Sequence, residues 1–197
     1  MKGSDVPEAP RTAPTAPTAP TAPTAPIAPI ALREGEGEAL WFLDFLATVK
    51  GSSAEMNGAA SVIEHLGRRG TGSPLHVHHR DDEWWYVLDG EVTFWVAGQV
   101  IAAPAGSFVY GPRHVPHTFL VTSDEARFLH VTEPGGFDGF TRSLGKPAPS
   151  LEIPPHGIVL PDLEQVRAIA AEFGIEVLGP PGIPAAASDA GHRKESQ

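Results

Sequence analysis

The sequence contains no cysteine among its 197 residues, which excludes disulfide bonds and thiolate ligands. Basic residues are also few: 14 Lys and Arg against 24 Asp and Glu give a net charge of −10, and no basic run exceeds two residues. Such a chain would repel nucleic acid and anionic membranes, so we exclude both as partners. The longest apolar run, ALWFLDFLATV, is too short to cross a bilayer and is interrupted by Asp44. The N-terminus lacks the apolar stretch of a signal peptide, so a cytoplasmic location is expected.

Proline, in contrast, is abundant and concentrated near the N-terminus. Residues 12–26 are five successive Thr-Ala-Pro triplets, and a Pro at every third position matches polyproline II and forbids a helix. We expect residues 1–31 to be a disordered, semi-stiff tail, and residues 179–197 to be a second disordered tail. Alternatively, the Thr-Ala-Pro repeat could bind a Pro-recognition module, but it contains no aromatic or charged residue to anchor such a complex. Residues 32–178 would form one domain.

The sequence of that domain is typical of an all-β protein. Nine short β-rich runs, separated by Gly, Pro and Asp, follow one another between residues 40 and 134. Their near-even spacing predicts an antiparallel sandwich or barrel. Two helical patterns come next, over residues 136–145, expected to cover one end of the barrel, and over residues 162–173. In the second, Asp162 and Gln165 have the spacing of a capping box.

A histidine cluster marks the candidate site. Side chains two apart on a strand share a face, so His76 and His78 point one way while His79 points the other. An antiparallel neighbour that begins at Glu83 can bring a carboxylate beside this pair, and His117 opens a later strand that could supply a fourth ligand. Three imidazoles and one carboxylate suit a divalent first-row metal with open positions for water, dioxygen or substrate. His79 would replace a ligand only if the strand register slipped by one residue.

Strand alternation also predicts what surrounds this cluster. We expect a largely apolar pocket lined by Trp85, Phe94, Phe108, Tyr110 and Phe119. Arg113 near the rim could meet an anionic substrate, although an exposed Arg is usually only solvated. Asp81 and Asp82 are expected to form a solvent-exposed turn. The other histidines have no companion pattern and are expected at the surface or as satisfied core residues: His65, His130, His156 and His192.

The spacing of these residues resembles the two sequence motifs of the cupin family. The first motif is Gly70, five residues, His76, one, His78, four, Glu83, six, Gly90. The second is similar to Gly106, five residues, Pro112, one, His114, two, His117, three, Val121, with His114 and Val121 in place of the usual Gly and Asn. His tolerates the positive φ that Gly would supply at that turn. The resemblance implies a jelly-roll β-barrel and a metal set of His76, His78, Glu83 and His117.

The longer pattern, over roughly residues 40–145, resembles bacterial single-domain cupins similar to quercetin 2,3-dioxygenase. This implies ring opening of a flavonol-like or other enolisable aromatic substrate by dioxygen, with release of carbon monoxide, at Fe, Mn, Co, Ni, Cu or Zn. Glu83 would be both a ligand and the general base. The alternative is a metal-dependent isomerase, decarboxylase or polyketide-type cyclase that consumes no oxygen; a barrel that only binds a small molecule is a third reading. The apolar segment at residues 40–49 is suited to a homodimer contact.

Overall fold

The computed structural model describes residues 28–184, and antiparallel β-strands dominate them. Twelve strands and two helices follow one another in this part of the chain. In chain order they are β1 (Glu38–Phe42), β2 (Phe45–Gly51), β3 (Ser61–Arg68), β4 (Pro74–His78), β5 (Asp82–Asp89), β6 (Glu91–Val96), β7 (Gln99–Pro104), β8 (Phe108–Gly111), β9 (His117–Val121), β10 (Glu125–Glu133), α1 (Phe137–Leu144), β11 (Lys146–Pro147), α2 (Leu163–Glu172) and β12 (Ile175–Pro181).

The strands from β3 to β10 form one long hairpin that is rolled up. Strand β3 pairs with β10, β4 with β9, β5 with β8, and β6 with β7. Successive pairs alternate between a seven-stranded sheet, β11-β1-β2-β3-β10-β5-β8, and a five-stranded sheet, β12-β4-β9-β6-β7. A rolled hairpin of this kind is a jelly-roll barrel, so the predicted all-β jelly-roll class is confirmed.

Two apolar clusters fill the space between the sheets and under the helices. The first is rich in aromatic residues and includes Phe45, Trp85, Phe94, Phe119 and Phe128. The second joins the inner faces of β1, β2 and β3 to residues of α1, α2 and β12. Burial of each such side chain contributes about 1.5–3 kcal/mol, which makes these clusters the main source of stability. The helices therefore extend the core at one end of the barrel.

The local signals for the second helix are confirmed in detail. Helix α2 begins after Asp162, whose side chain accepts a hydrogen bond from the Gln165 backbone, while Gln165 Oε1 accepts one from the Asp162 backbone. This reciprocal pair is the expected capping box. The helix ends before Gly174, which has a φ of 77° and supplies the left-handed turn that glycine adopts without strain.

Two features of the strands differ from expectation. The apolar run at residues 40–49 is two strands rather than one, because Leu43 has a φ of 53° and turns the chain between β1 and β2. Strand β12 was not predicted at all, and it pairs with β4. It runs to Pro181, past residue 178, where the domain was expected to end.

Most of both predicted tails lies outside the described residues, which begin at 28 and end at 184. Within that range, neither helix combines the length and apolarity that are needed to cross a lipid bilayer.

Candidate metal centre

The four predicted ligands meet between the two sheets. His76 and His78 lie on β4, and His76 is the direct cross-strand partner of His117 on β9. Glu83 lies on β5 of the opposite sheet, where it pairs with Gly111. Their ligand atoms all lie within 4.8 Å of one another. Glu83, His78 and His117 are each 1% exposed and His76 is 7% exposed, so the rolled hairpin brings together residues from two distant motifs in a buried site.

Each imidazole is held by its Nδ1 atom, on the side away from the centre. Nδ1 of His76 lies 2.7 Å from the carbonyl oxygen of Pro74, and Nδ1 of His117 lies 2.8 Å from that of Val115. Nδ1 of His78 lies 2.6 Å from Oδ2 of Asp81. An oxygen acceptor at Nδ1 fixes the proton there, which leaves Nε2 of each ring facing the centre.

The inward-facing atoms have the properties of metal ligands. Nε2 of His78, Nε2 of His117 and Oε2 of Glu83 are buried and make no hydrogen bond of good geometry in the described residues, although Nε2 of His78 lies 3.1 Å from Oε1 of Glu83. Oε2 of Glu83 lies 2.5 Å from Nε2 of His117 and 3.9 Å from Nε2 of His76. Buried ligand atoms that face one another are costly unless a metal ion or a proton lies between them. The donor set of three imidazoles and one carboxylate fits a divalent first-row metal.

The charges in this site are strongly coupled. Burial lowers the pKa of His76 well below its usual value, and the neighbouring His117 lowers it further, so His76 is neutral. Burial would raise the pKa of Glu83, but His78, His130 and His117 outweigh burial and hold that pKa well below its usual value. Burial also disfavours protonated His78, yet Glu83 and Asp81 prevail and raise its pKa to about 10. The metal-free site therefore pairs an ionised Glu83 with a protonated His78.

Metal binding should consequently release a proton. Because the pKa of His78 is about 10, its ring is protonated at pH 7.5, and a metal at Nε2 must displace that proton. We expect about one proton released per metal, and an apparent affinity that falls up to about tenfold per unit as pH drops below 10. Calorimetry in two buffers of different ionisation enthalpy measures the release. The variant Asp81→Asn, which removes one of the two carboxylates that raise this pKa, should release less; a wild-type value that is close to zero would contradict the assignment.

Three residues of the centre were missed by sequence reasoning. Asp81, expected in a solvated turn, is 8% exposed and holds His78. His130 and His65 are buried behind Glu83, with Nε2 of His130 2.7 Å from Oε1 of Glu83. The position of Asp81 three residues after His78 was a usable local signal. No local signal marked His130, because it reaches Glu83 only through the pairing of β10 with β5.

The predicted pocket residues divide into two groups. Trp85, Phe94 and Phe119 are buried, and the Trp85 ring lies 5.5 Å from the His117 ring. Phe108 and Tyr110 are 61% and 49% exposed, so their assignment to the inner wall is wrong. On β8 it is Val109 that points inward. The error arises because this strand is apolar on both faces, and alternation alone does not say which set is buried.

The remaining polar residues near the motifs lie outside the centre. His79, the residue after β4, is exposed, and its Nε2 lies 2.9 Å from Glu176, so it points away from the centre as expected. His114 has a φ of 65°, so His does occupy the left-handed turn. Arg113 binds Asp82 through its guanidinium at 2.8 Å, which places Asp82 in an ion pair rather than a free turn. His156 is exposed, and His192 lies outside the described residues.

Comparison with known proteins agrees with this architecture. The sequence pattern of the Cupin domain family matches residues 63–132. Quercetin 2,3-dioxygenase of Bacillus subtilis (strain 168) is 31% identical over 116 residues, which cover 59% of this chain and 34%, about a third, of that protein's length.

Two solved structures are similar to this chain at low sequence identity. A predicted oxalate decarboxylase from Thermotoga maritima superposes with a TM-score of 0.51 at 20% identity, over 53% of this chain and 99% of that one. KdgF from Halomonas sp. gives a TM-score of 0.45 at 17% identity, over 49% and 84% of the two chains. The first of these likenesses shows a shared fold.

Proposed function

Because this chain belongs to the cupin superfamily, we propose that it is a metal-dependent dioxygenase that opens a flavonol-like or other enolisable aromatic substrate with dioxygen. The observation that carries the proposal is the buried convergence of three imidazole nitrogens and one carboxylate oxygen within 4.8 Å. Its similarity to a quercetin 2,3-dioxygenase over 116 residues supports this reaction type. A small-molecule substrate and dioxygen are thus the proposed partners.

Four residues would hold the metal: His76, His78 and His117 through Nε2, and Glu83 through Oε2. The set accepts Fe, Mn, Co, Ni, Cu or Zn, since imidazole and carboxylate suit each of these ions. When bound, such an ion would supply Lewis acidity toward an enolate and a binding position for dioxygen. The hydrogen bonds from the three Nδ1 atoms orient the rings before any ligand arrives.

Glu83 is also the proposed general base. Its carboxyl group is ionised, because the surrounding histidines hold its pKa well below the usual range despite burial. A substrate hydroxyl close to Oε2 could therefore donate its proton to this atom, whose nearest neighbour among the ligands is Nε2 of His117 at 2.5 Å. Oε1 is already engaged by Nε2 of His130 at 2.7 Å. Oε1 also lies 3.1 Å from Nε2 of His78, so the hydrogen bond from His130 favours Oε2 for the base role but does not remove Oε1 from the centre.

Aromatic side chains would exclude water from the reaction. Trp85 packs against the ring of His117, while Phe137 at the start of α1 lies 4.4 Å from the ring of His130 and 6.1 Å from that of His78. These contacts cover the centre on the sides of the barrel core and of α1. His76 is the most exposed of the four ligands, and we place the substrate on its side.

Oxygen uptake tests the proposed reaction. Metal-free protein would be loaded separately with Fe(II), Mn(II), Co(II) or Ni(II), given quercetin, and followed with an oxygen electrode and an assay for carbon monoxide. We expect uptake that depends on the metal, that is lost in His76→Ala, and that persists in His79→Ala, because His79 follows β4 and its exposed side chain lies against Glu176, away from the centre.

The outcome separates the candidate reactions. If one metal binds per chain and no enolisable aromatic substrate causes oxygen uptake, the dioxygenase assignment is wrong. Product formation without uptake would instead favour the isomerase, decarboxylase or cyclase reaction at the same centre.

Two further predictions concern the whole protein. The homodimer stays a prediction; the exposed aromatic residues Tyr86, Phe108 and Tyr110 on the outer face of β5 and β8 are consistent with it, and the molar mass from light scattering would decide it. The cytoplasmic location also stays a prediction, which fractionation of cells would test.

A further inference from the structure

Two buried histidines continue from Glu83 away from the metal centre. Nε2 of His130 lies 2.7 Å from Oε1 of Glu83, and Nδ1 of His130 lies 3.4 Å from Nε2 of His65. His130 is 3% exposed and His65 is 2% exposed. Neither ring supplies a ligand atom to the four-residue centre, so the hydrogen bond to Glu83 is the contact through which they could affect it.

The two rings are fixed by aromatic packing. Trp85 stacks on His130 with ring centroids 5.6 Å apart, and Phe137 covers the same ring at 4.4 Å. His65 stacks on Phe128 at 5.3 Å and meets the edge of Phe45 at the same distance. Side chains packed this densely have little freedom to rotate. The hydrogen bond to Glu83 is therefore built into the barrel core.

The donors and acceptors between His65, His130 and Glu83 can be assigned from the surroundings of Nδ1 of His65. Nδ1 of His65 has no hydrogen-bond partner among residues 28–184. Burial lowers the pKa of His65 well below its usual value, so the ring is neutral and carries one N–H. A buried N–H without an acceptor is costly, which places this proton on Nε2, where His130 accepts it. His130 must then donate from its own Nε2, and both N–H groups are directed toward Glu83.

We propose that His130, backed by His65, is a positioning residue: its hydrogen bond engages Oε1 of Glu83, which also lies 3.1 Å from Nε2 of His78, and so favours Oε2 as the single oxygen that binds the metal. This inference rests on the metal site of the proposed function. Without the donor, the Glu83 carboxylate would be free to present both oxygens to the metal. The second oxygen would then take a coordination position that substrate or dioxygen requires.

Visible absorption of the Co(II)-loaded protein tests the inference without any turnover. Co(II) bands lose intensity as the coordination number rises, so a carboxylate that binds through both oxygens weakens them. We expect weaker bands in His130→Phe, which keeps an aromatic ring but lacks the donor, together with an affinity for Co(II) that is about 10- to 100-fold lower. In His130→Gln, whose amide nitrogen lies near the position of Nε2, both properties should return toward wild type.

The matched control is Thr132→Val. Thr132 is as buried as His130, lies two residues further on the same strand and makes no side-chain hydrogen bond in the described residues. This substitution should leave the Co(II) spectrum unchanged. If His130→Phe does not fold, His130→Asn replaces it, because its shorter amide does not reach Glu83.

The inference is overturned if the variant without a donor keeps the wild-type spectrum, or if His130→Gln is altered as much as that variant. A failure of the proposed dioxygenase reaction is distinguishable from either result. It would show as missing oxygen uptake by wild-type protein whose Co(II) spectrum still depends on His130.

Discussion

Turnover by Glu83→Gln is expected to fall by about 100-fold or more at saturating metal, since general bases contribute roughly 10²- to 10⁴-fold. The Gln side chain has nearly the same shape, and its amide oxygen can still accept the hydrogen bond that His130 donates at 2.7 Å in the wild type. It has no ionised oxygen at the position of Oε2, however, and therefore does not accept the substrate proton. The loss should appear in kcat with excess metal, as measured by oxygen uptake.

The control for this substitution is Glu176→Gln. Glu176 pairs with the exposed His79 on the outer face of the five-stranded sheet, and its side chain is 58% exposed. Removing this charge should leave kcat within about twofold of wild type, because isolated exposed ion pairs contribute little. A wild-type kcat in Glu83→Gln, with bound metal verified, would remove the base role and leave Glu83 only a place among the ligands.

His117→Ala is expected to weaken metal binding by more than about 100-fold. Four-ligand zinc-finger peptides bind zinc with roughly 10–16 kcal/mol; by that scale one ligand accounts for about 3 kcal/mol, or a factor of about 100 in affinity. His117 is suited to this test because its Nε2 lies 2.5 Å from Oε2 of Glu83 and its ring lies 4.4 Å from that of His76. Removing the His117 imidazole therefore takes away a ligand that lies close to both Glu83 and His76.

Thermal or denaturant unfolding with and without metal provides the measurement. At a free metal concentration of 100 times the wild-type dissociation constant, bound metal stabilises the wild type by about 2.7 kcal/mol, and a 100-fold weaker variant by only about 0.4 kcal/mol. His114→Asn is the matched control: it removes a histidine of the same motif, and Asn tolerates the φ of 65° at this position. A full metal-dependent gain in His117→Ala would mean that the fourth ligand is another residue.

The sequence was sufficient where the signal is local. Two histidines on one face of a strand and the capping box of α2 depend on residues that are close along the chain, and each is present as expected. Glu83 and His117 were reached through motif spacing. The structure brings both to the histidine pair because β9 pairs with β4, and β5, paired with β8, lies in the opposite sheet of the same rolled hairpin.

The features that sequence reasoning missed depend on residues that are far apart along the chain or on which face of a strand is buried. His130 meets Glu83 across 47 positions of sequence through the register of β10 with β5, which no short pattern specifies. Phe108 and Tyr110 were placed inward because β8 offers apolar residues to both sides. Strand β12, whose Gly and Pro residues give it a weak strand pattern, forms through its pairing with β4. The sequence did not specify the register between distant strands, nor which face of a strand that is apolar on both sides is buried.

The position of β12 has a consequence for the integrity of the ligand strand. In the five-stranded sheet β12 is one of the two edge strands, and Ile175 and Val177 pair with His78 and His76 respectively. Without it, β4 would become a free sheet edge, with open N–H and C=O groups available to other chains. A segment that carries none of the four ligands thus protects the strand that carries two of them from edge-to-edge aggregation.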